Sequence, residues 1–318
     1  MNRKNIIKYS IFAIVGAITI YFIQKSFNFE DFLINLKNSK WQYVLISVLM
    51  GVFAVLLRAL RWQLMLNPLG FRTSLSNAYH ATMSGYLVNL GIPRSGEIYR
   101  CAVFSKSDKV PLNTLIGSVV SERIIDMLML GLVLLLSFVI QFDLLYDYFY
   151  SHFFVNLNAG FLVPVLLLGL VMGIVFLIKF KSFIKTESKI GKLIVGFMDG
   201  LKAVFTIQQP VLFIVYTLGI WVSYLMMTYF ILQAFDFSRV IGLGGALSTL
   251  VFSTLGVIIP APAGIATISS VQLGLTEIYS FSSVNANSIG IVLFFSNITM
   301  MILAGSVSFF IMMFKTKV

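Results

Sequence analysis

Two apolar stretches of the chain, one in each half, are broken by proline and glycine. The first reads Asn89-Leu-Gly-Ile-Pro-Arg-Ser-Gly-Glu-Ile-Tyr-Arg100, with Pro93 and Gly96 at the break. The second reads Gly256-Val-Ile-Ile-Pro-Ala-Pro-Ala-Gly-Ile-Ala266, with Pro260, Pro262 and Gly264. Proline removes a backbone N–H and clashes with the preceding turn, so neither stretch runs on as one straight helix. In hydrocarbon an unpaired backbone group is costly, so a break at membrane depth must be buried in protein or line a cavity. Interruptions at corresponding places in two halves point to a transporter-type binding site.

Composition places these breaks in a membrane. Of 318 residues, 58% are hydrophobic and 11% charged, and several apolar runs reach the ~20 residues that cross a bilayer. A soluble fold of this size could not bury so much apolar surface. Periodicity gives full spans over 6–23, 42–66, 112–139, 161–179, 210–234 and 286–314. Helical stretches at 74–90 and 242–258 run into the breaks, and short segments at 95–106 and 264–280 follow them. Arg3, Lys4 and Lys8 before the run Ile11 to Ile23 resemble the start of a signal peptide. No small-residue cleavage site follows, so a retained first span is expected.

The net charge of +11 does not require nucleic acid, because Lys and Arg of membrane proteins collect on cytoplasmic loops. With the N-terminus inside, 18 basic residues fall on inner segments and 4 on outer ones, with Arg123 in a span. Both flanks of 74–110 are then inner, whereas 235–285, which carries Arg239, is outer. The expected fold is an all-α polytopic membrane protein, a single integral membrane domain over 1–318. It has six full spans plus two oppositely oriented re-entrant hairpins, about eight hydrophobic segments in an inverted repeat. Residues 42–139 make the first repeat and 210–314 the inverted second one. The alternative is eight simple spans with proline kinks. Both termini are expected in the cytoplasm, and the membrane is expected to be a bacterial inner membrane.

Glu122, Arg123 and Asp126 lie inside the span that begins near Pro111. Glu122 sits ~15 Å along that helix, and each intramembrane charge costs ~2.5–3.5 kcal/mol on insertion scales, so the three are not expected to face lipid. Glu122 and Asp126 share one face, and Arg123 can pair with Asp126 at i,i+3. One reading is a self-neutralising pair that locks helices together. The other is a polar site with a spare carboxylate for a cationic group or a proton. At the first break stand Arg94, Glu97 and Arg100. Guanidinium matches phosphate oxygens in bidentate geometry, and a helix restarting at Ser95-Gly96 would aim N–H groups at an anion. The alternative there is a basic interfacial loop that meets headgroups without selecting any. Arg58 and Arg61 are expected to snorkel at the inner end of their span.

The second break carries little charge. Thr267, Ser269 and Ser270 offer hydroxyls, with Gln272 and Glu277 beyond, and its small residues serve close packing equally well. Gly169 and Gly173 suit helix packing, and the lysines of 179–202 suit anionic lipid. One cysteine, Cys101, excludes an internal disulfide, and His80 and His152 stand far apart, so neither a metal nor a cofactor is expected. No catalytic constellation or nucleotide-binding loop appears, and an enzyme is not expected.

Four motifs occur in order: Leu-Arg-Ala-Leu-Arg-Trp-Gln (57–63), the segment 89–100, Ser-Glu-Arg-Ile-Ile-Asp (121–126) and Pro-Ala-Pro-Ala-Gly-Ile-Ala (260–266). Together they resemble the flippase-like membrane region of lysylphosphatidylglycerol synthases, over roughly residues 10–313. The resemblance implies a lipid-translocating membrane domain. In the multiple peptide resistance factor such a region is linked to flipping an aminoacylated phosphatidylglycerol made by a soluble aminoacyltransferase domain. That domain is expected to be absent, since the chain ends four residues after its last span. At the second break the family pattern Pro-Gly-Gly-Leu-Gly, followed by Glu, is altered: Ala263 and Ala266 replace glycines and Ser269 stands at the Glu position.

The sequence thus supports a protein that binds or moves an anionic or zwitterionic lipid, of phospholipid or polyprenyl-phosphate type. Arg94, Arg100 and Arg123 would hold the phosphate, and Glu97, Glu122 and Asp126 would balance charge or relay protons. A second reading is a non-transporting lipid-binding or scaffold subunit, partnered by an envelope glycosyl- or acyltransferase.

Overall fold

The structure, a computed structural model, describes residues 29–37, 39–91, 95–142, 144, 146, 207–258 and 265–316. These form helices and no strand: α1 (Phe29–Lys37), α2 (Trp41–Leu66), α3 (Leu75–Gly91), α4 (Ser95–Asp108), α5 (Leu112–Ile140), α6 (Pro210–Gln233), α7 (Gly242–Ile258), α8 (Ala266–Tyr279) and α9 (Ser283–Thr316). Helices α2, α5, α6 and α9 match four expected spans, and α3/α4 and α7/α8 are the limbs on either side of the two breaks. The expected spans 6–23 and 161–179 lie outside the described residues. So do Pro93, Arg94, His152, Gly169, Gly173, the lysines of 179–202, Pro260, Pro262 and Gly264. Three elements have no counterpart in the sequence reading: α1, a short 3-10 helix over Asn67–Leu69 after α2, and a 3-10 helix over Asp236–Ile241 before α7.

Among the described residues, five stretches are long and apolar enough to cross a membrane: Trp41–Leu69, Leu112–Ile140, Pro210–Gln233, Asp236–Ile258 and Ser283–Thr316. The protein is a multi-pass helical membrane protein. The fourth stretch joins the 3-10 helix to α7, so length alone does not mark α7 as a hairpin limb. Prolines help to set two helix starts. Pro111 caps α5 and Pro210 opens the first turn of α6, where the missing N–H has no intrahelical partner anyway.

Hydrogen bonds between helix ends sort the bundle into two poles. At one pole, the Ser74 N–H donates to Asp108 Oδ1 at 2.8 Å and Asn77 Nδ2 donates to Asp108 Oδ2 at 2.9 Å. Lys315 Nζ donates to Asn77 Oδ1 at 2.6 Å. The start of α3, the end of α4 and the end of α9 therefore lie together. At the other pole, the Lys40 N–H donates to the Ala234 carbonyl at 2.8 Å, and Asn35 Nδ2 donates to Ser288 Oγ at 2.8 Å. The Gln141 amide donates to the Gly244 carbonyl and to Ser248 Oγ, while Tyr279 donates its hydroxyl proton to Gln141 Oε1. The start of α7 and the end of α8 therefore share that pole with the end of α5. The α3–α4 pair opens toward one pole and the α7–α8 pair toward the opposite one.

Each pole has its own apolar core. Ala59, Trp62, Leu66, Ala78, Phe104 and Leu115 pack at the Asp108 pole, with the Trp62 and Phe104 rings 4.7 Å apart. Ile231, Leu232, Ala246, Val271, Leu275 and Ile289 pack at the Gln141 pole. Between helices in lipid, association depends on close packing and internal hydrogen bonds, not on expelling water. Glycines allow that approach at both hairpins. A Cβ added to Gly85 would lie 2.7 Å from the Gly96 carbonyl oxygen, and one added to Gly256 would lie 2.6 Å from Thr267 Cα. Across the bundle α2 packs along α6, α3 along α9 and α7 against α5.

Candidate functional site: a buried ion cluster beside an apolar cavity

Helix α5 has two chemically distinct faces. Ile124, Leu128, Leu132, Leu135 and Val139 form an exposed apolar stripe, at the spacing that keeps side chains on one helical face. Glu122 and Asp126 project from the other side, i,i+4 apart, toward α2. There Arg58 and Arg61 stand i,i+3 apart, so the two helices meet as complementary charged faces.

Arg58 is the hub. Its Nε donates to Glu122 Oε1 at 3.0 Å, and its Nη2 donates to the same oxygen and to Asp126 Oδ2 at 2.6 Å. Arg61 Nη2 donates to Asp126 Oδ1 at 2.8 Å and lies 3.4 Å from Glu122 Oε1. From α4, Arg100 Nη2 donates to Glu122 Oε2 at 2.8 Å. The Arg100 guanidinium lies 4.8 Å from the centroid of the Trp62 ring, a cation–π contact. The indole N–H of Trp62 donates in turn to Ser118 Oγ at 2.9 Å. Arg61 and Glu122 are 0% and 1% exposed, and Arg58 and Arg100 are 5% and 3% exposed. A looser rim pair closes the cluster, with Arg123 Nε 2.8 Å from Glu97 Oε1. Arg123 also stands 3.6 Å from Asp126, the i,i+3 approach read from the sequence.

Two expectations are corrected here. Arg58 and Arg61 do not snorkel: they are buried and paired, because α2 turns them toward the α5 carboxylates and away from the interface. Among the described residues the cluster also has no spare carboxylate. Four arginines, Arg58, Arg61, Arg100 and Arg123, meet three acids, Glu97, Glu122 and Asp126, so the surplus charge is positive. Arg61 Nε and Nη1 and Arg100 Nε are buried with no hydrogen-bond partner among the described residues. Nor is every N–H at the α4 start open to an anion, since Gly96 donates its own to Asn89 Oδ1 at 2.7 Å.

Next to the cluster lies a cavity of about 380 Å³. Arg58, Arg123, Asp126 and Tyr224 form its charged end, and Met127, Leu130, Val257, Ile258, Phe294 and Met301 line much of the rest. Met127, Val257 and Ile258 are also exposed on the outer surface, so the apolar end reaches the flank of the bundle. Of the arginines expected to meet a headgroup, Arg123 lines the cavity, Arg100 stands behind it through Glu122, and Arg94 is outside the described residues. Glu97 and Glu122 likewise join the cluster without lining the cavity. Thr267 is the hydroxyl of the second break that lines it, whereas Ser269 and Glu277 are exposed. Sequence reasoning missed Tyr224, which accepts a hydrogen bond from Arg58 Nη1 at 2.8 Å. Among the described residues no group of three or more His, Cys, Asp or Glu side chains could hold a metal ion.

Comparison with known proteins gives this architecture a lineage. A family model described as the lysylphosphatidylglycerol synthase TM region matches residues 5–305, which include every member of the ion cluster. A UPF0104 membrane protein of Methanocaldococcus jannaschii is 23% identical over 129 residues. That match spans 40% of this chain and only 38% of the archaeal protein. No solved structure matches the chain. With nearly its whole length matched, the chain belongs to the family of the lysylphosphatidylglycerol synthase transmembrane region.

Proposed function

We propose that the protein binds a phosphate-bearing lipid, anionic or zwitterionic, in its central cavity and carries it between the leaflets of a bacterial inner membrane. The observation that carries this reading is the two-ended cavity: arginines and one carboxylate at one end, apolar side chains through the rest, and exposed apolar residues at the flank. A phosphodiester would offset the surplus positive charge, and an acyl chain would follow the apolar lining outward. A volume of this size falls within the ~300–1,000 Å³ of ordinary small-molecule sites, so the headgroup and upper tails fit while the tail ends emerge into the bilayer. Arg123 and Arg58 contact the phosphate in this scheme. Arg100 supports them from behind, Arg94 contributes from the first break, and Glu97, Glu122 and Asp126 balance charge or relay a proton. The protein acts on lipid as a carrier and not as an enzyme.

The hairpin limbs support the transport half of the proposal. They open toward opposite poles and cross on glycines at Gly85 and Gly256. Limbs opposed in this way support an inverted repeat with six spans and two re-entrant hairpins, of the kind that alternating-access carriers use. The test is exchange of a fluorescent phospholipid in vesicles reconstituted with the purified protein. Wild type should speed exchange, and Arg123→Ala and the cavity-filling Met127→Trp should each slow it by about tenfold, the loss of roughly one charge-assisted hydrogen bond or a comparable contact. Exchange no faster than in protein-free vesicles would sink the proposal.

One observation favours a second reading. Glu122 contacts Arg58, Arg61, Arg100 and Arg123, a degree of pairing that suits a helix lock as well as a moving site. A non-transporting lipid-binding or scaffold subunit would hold lipid without exchanging it and would copurify with an envelope glycosyl- or acyltransferase.

A further inference from the structure

We propose that Tyr224 selects the headgroup: its hydroxyl, held in place by Arg58, donates its proton to a phosphodiester oxygen of the bound lipid. The inference rests on the lipid-cavity reading above and adds to it a neutral donor that discriminates by chemistry instead of by charge.

Four polar side chains on the cavity wall are already committed. Thr254 Oγ1 and Ser253 Oγ donate to the Leu250 carbonyl at 2.8 and 2.9 Å. Thr228 Oγ1 donates to the Tyr224 carbonyl at 3.1 Å, and Asn297 Nδ2 to the Leu293 carbonyl at 2.9 Å. Each of these cavity-lining groups is bonded within its own helix. The Tyr224 hydroxyl differs. Its oxygen accepts from Arg58 Nη1 at 2.8 Å, and among the described residues its own proton has no acceptor. The phenol lines the cavity, and its ring meets the edge of Trp221, with centroids 6.0 Å apart. Arg58 is itself fixed by Glu122 and Asp126.

A phenol whose lone pair is occupied by a guanidinium is polarised toward donation, and it is oriented before any ligand arrives. It needs an acceptor oxygen at the charged end of the cavity. A phosphodiester supplies one whether the rest of the headgroup is neutral or cationic. A lipid with the same tails and a free glycerol hydroxyl lacks the charged acceptor. Sites built to hydrogen-bond a ligand group reject analogues without it far more strongly than apolar pockets reject a missing methylene.

The experiment compares phosphatidylglycerol and diacylglycerol with identical tails, binding to the full-length protein in detergent. Three forms are measured: wild type, Tyr224→Phe and Met127→Trp. Tyr224→Phe should bind phosphatidylglycerol about tenfold or more weakly, as expected for loss of a hydrogen bond to a charged group, while its diacylglycerol affinity stays unchanged and reports an intact cavity. Unaltered phosphatidylglycerol binding in Tyr224→Phe, with Met127→Trp blocking both lipids, would overturn the role of Tyr224 and leave the cavity reading standing. Equal loss of both lipids in Tyr224→Phe would also overturn it, since that is a structural effect. A wild type that binds neither lipid removes the cavity reading and this inference together.

Discussion

At the scale of single residues, Glu122 organises the protein. Almost wholly buried, it is the shared acceptor for arginines from α2 and α4. Removing one partner of a buried ion pair leaves the other charges desolvated without compensation, at a cost of roughly 3–5 kcal/mol. Glu122→Gln is therefore expected to destabilise the folded protein by about that amount, measured by denaturation in mixed micelles. Glu97→Gln, at a rim pair where both side chains are more than a third exposed, should cost under ~1 kcal/mol. Equal effects of the two substitutions would contradict a buried Glu122 ringed by arginines. Glu97, Arg100, Glu122, Arg123 and Asp126 were legible in the sequence, because a charge within an apolar stretch stands out by itself. Arg58 and Arg61 were not. They lie eight and five residues before the end of α2, close enough to suggest an interface, and only their meeting with α5 assigns them to the interior.

At the scale of elements, the two hairpins depend on glycine at their crossings. Gly85 and Gly96 bring α3 and α4 into backbone contact, and Gly256 brings α7 onto the start of α8. Gly96→Ala and Gly256→Ala must push rigid backbone apart, and overpacking of this kind costs ~1–3 kcal/mol. Gly131 on α5 provides the control, because nothing lies within 4 Å of an added Cβ there. Gly131→Ala should be neutral or slightly stabilising through helix propensity. Denaturation midpoints of the three variants decide the point, and a Gly96→Ala protein as stable as Gly131→Ala would refute the close crossing. The limbs and breaks were readable in advance, since proline and apolar length act locally. The crossing points were not, because glycine at a contact and glycine at a break look alike in one dimension.

At the scale of the whole molecule, the basic residues make a testable prediction about which pole faces which side of the membrane. Basic residues predict that Arg72 and Lys109 face the cytoplasm while Val240 and Ser283 face outward. All four are exposed, and Cys101, the cysteine in the sequence, is buried. In a Cys101→Ser background, Arg72→Cys and Lys109→Cys should react with a membrane-impermeant maleimide only in inside-out vesicles. Val240→Cys and Ser283→Cys should react only in intact cells. Labelling of Arg72→Cys and Lys109→Cys from opposite sides would mean that the first hairpin crosses the membrane, in favour of simple kinked spans. The cavity lies between the poles, lined by α2, α3, α5, α6, α7, α8 and α9, so its existence belongs to no single element.

By itself the sequence determined the membrane setting, the extents of α2, α5, α6 and α9, the positions of the two breaks and the family. Each of these follows from local properties: apolar run length, backbone restriction at proline, and motifs a few residues long. Tertiary structure decided the pairing of Arg58 with Glu122, the positive sign of the surplus charge, and the placing of Tyr224 at the cavity. These rest on contacts between residues 64 and 166 positions apart. Helix periodicity says that a residue has a face, but only packing says what that face meets.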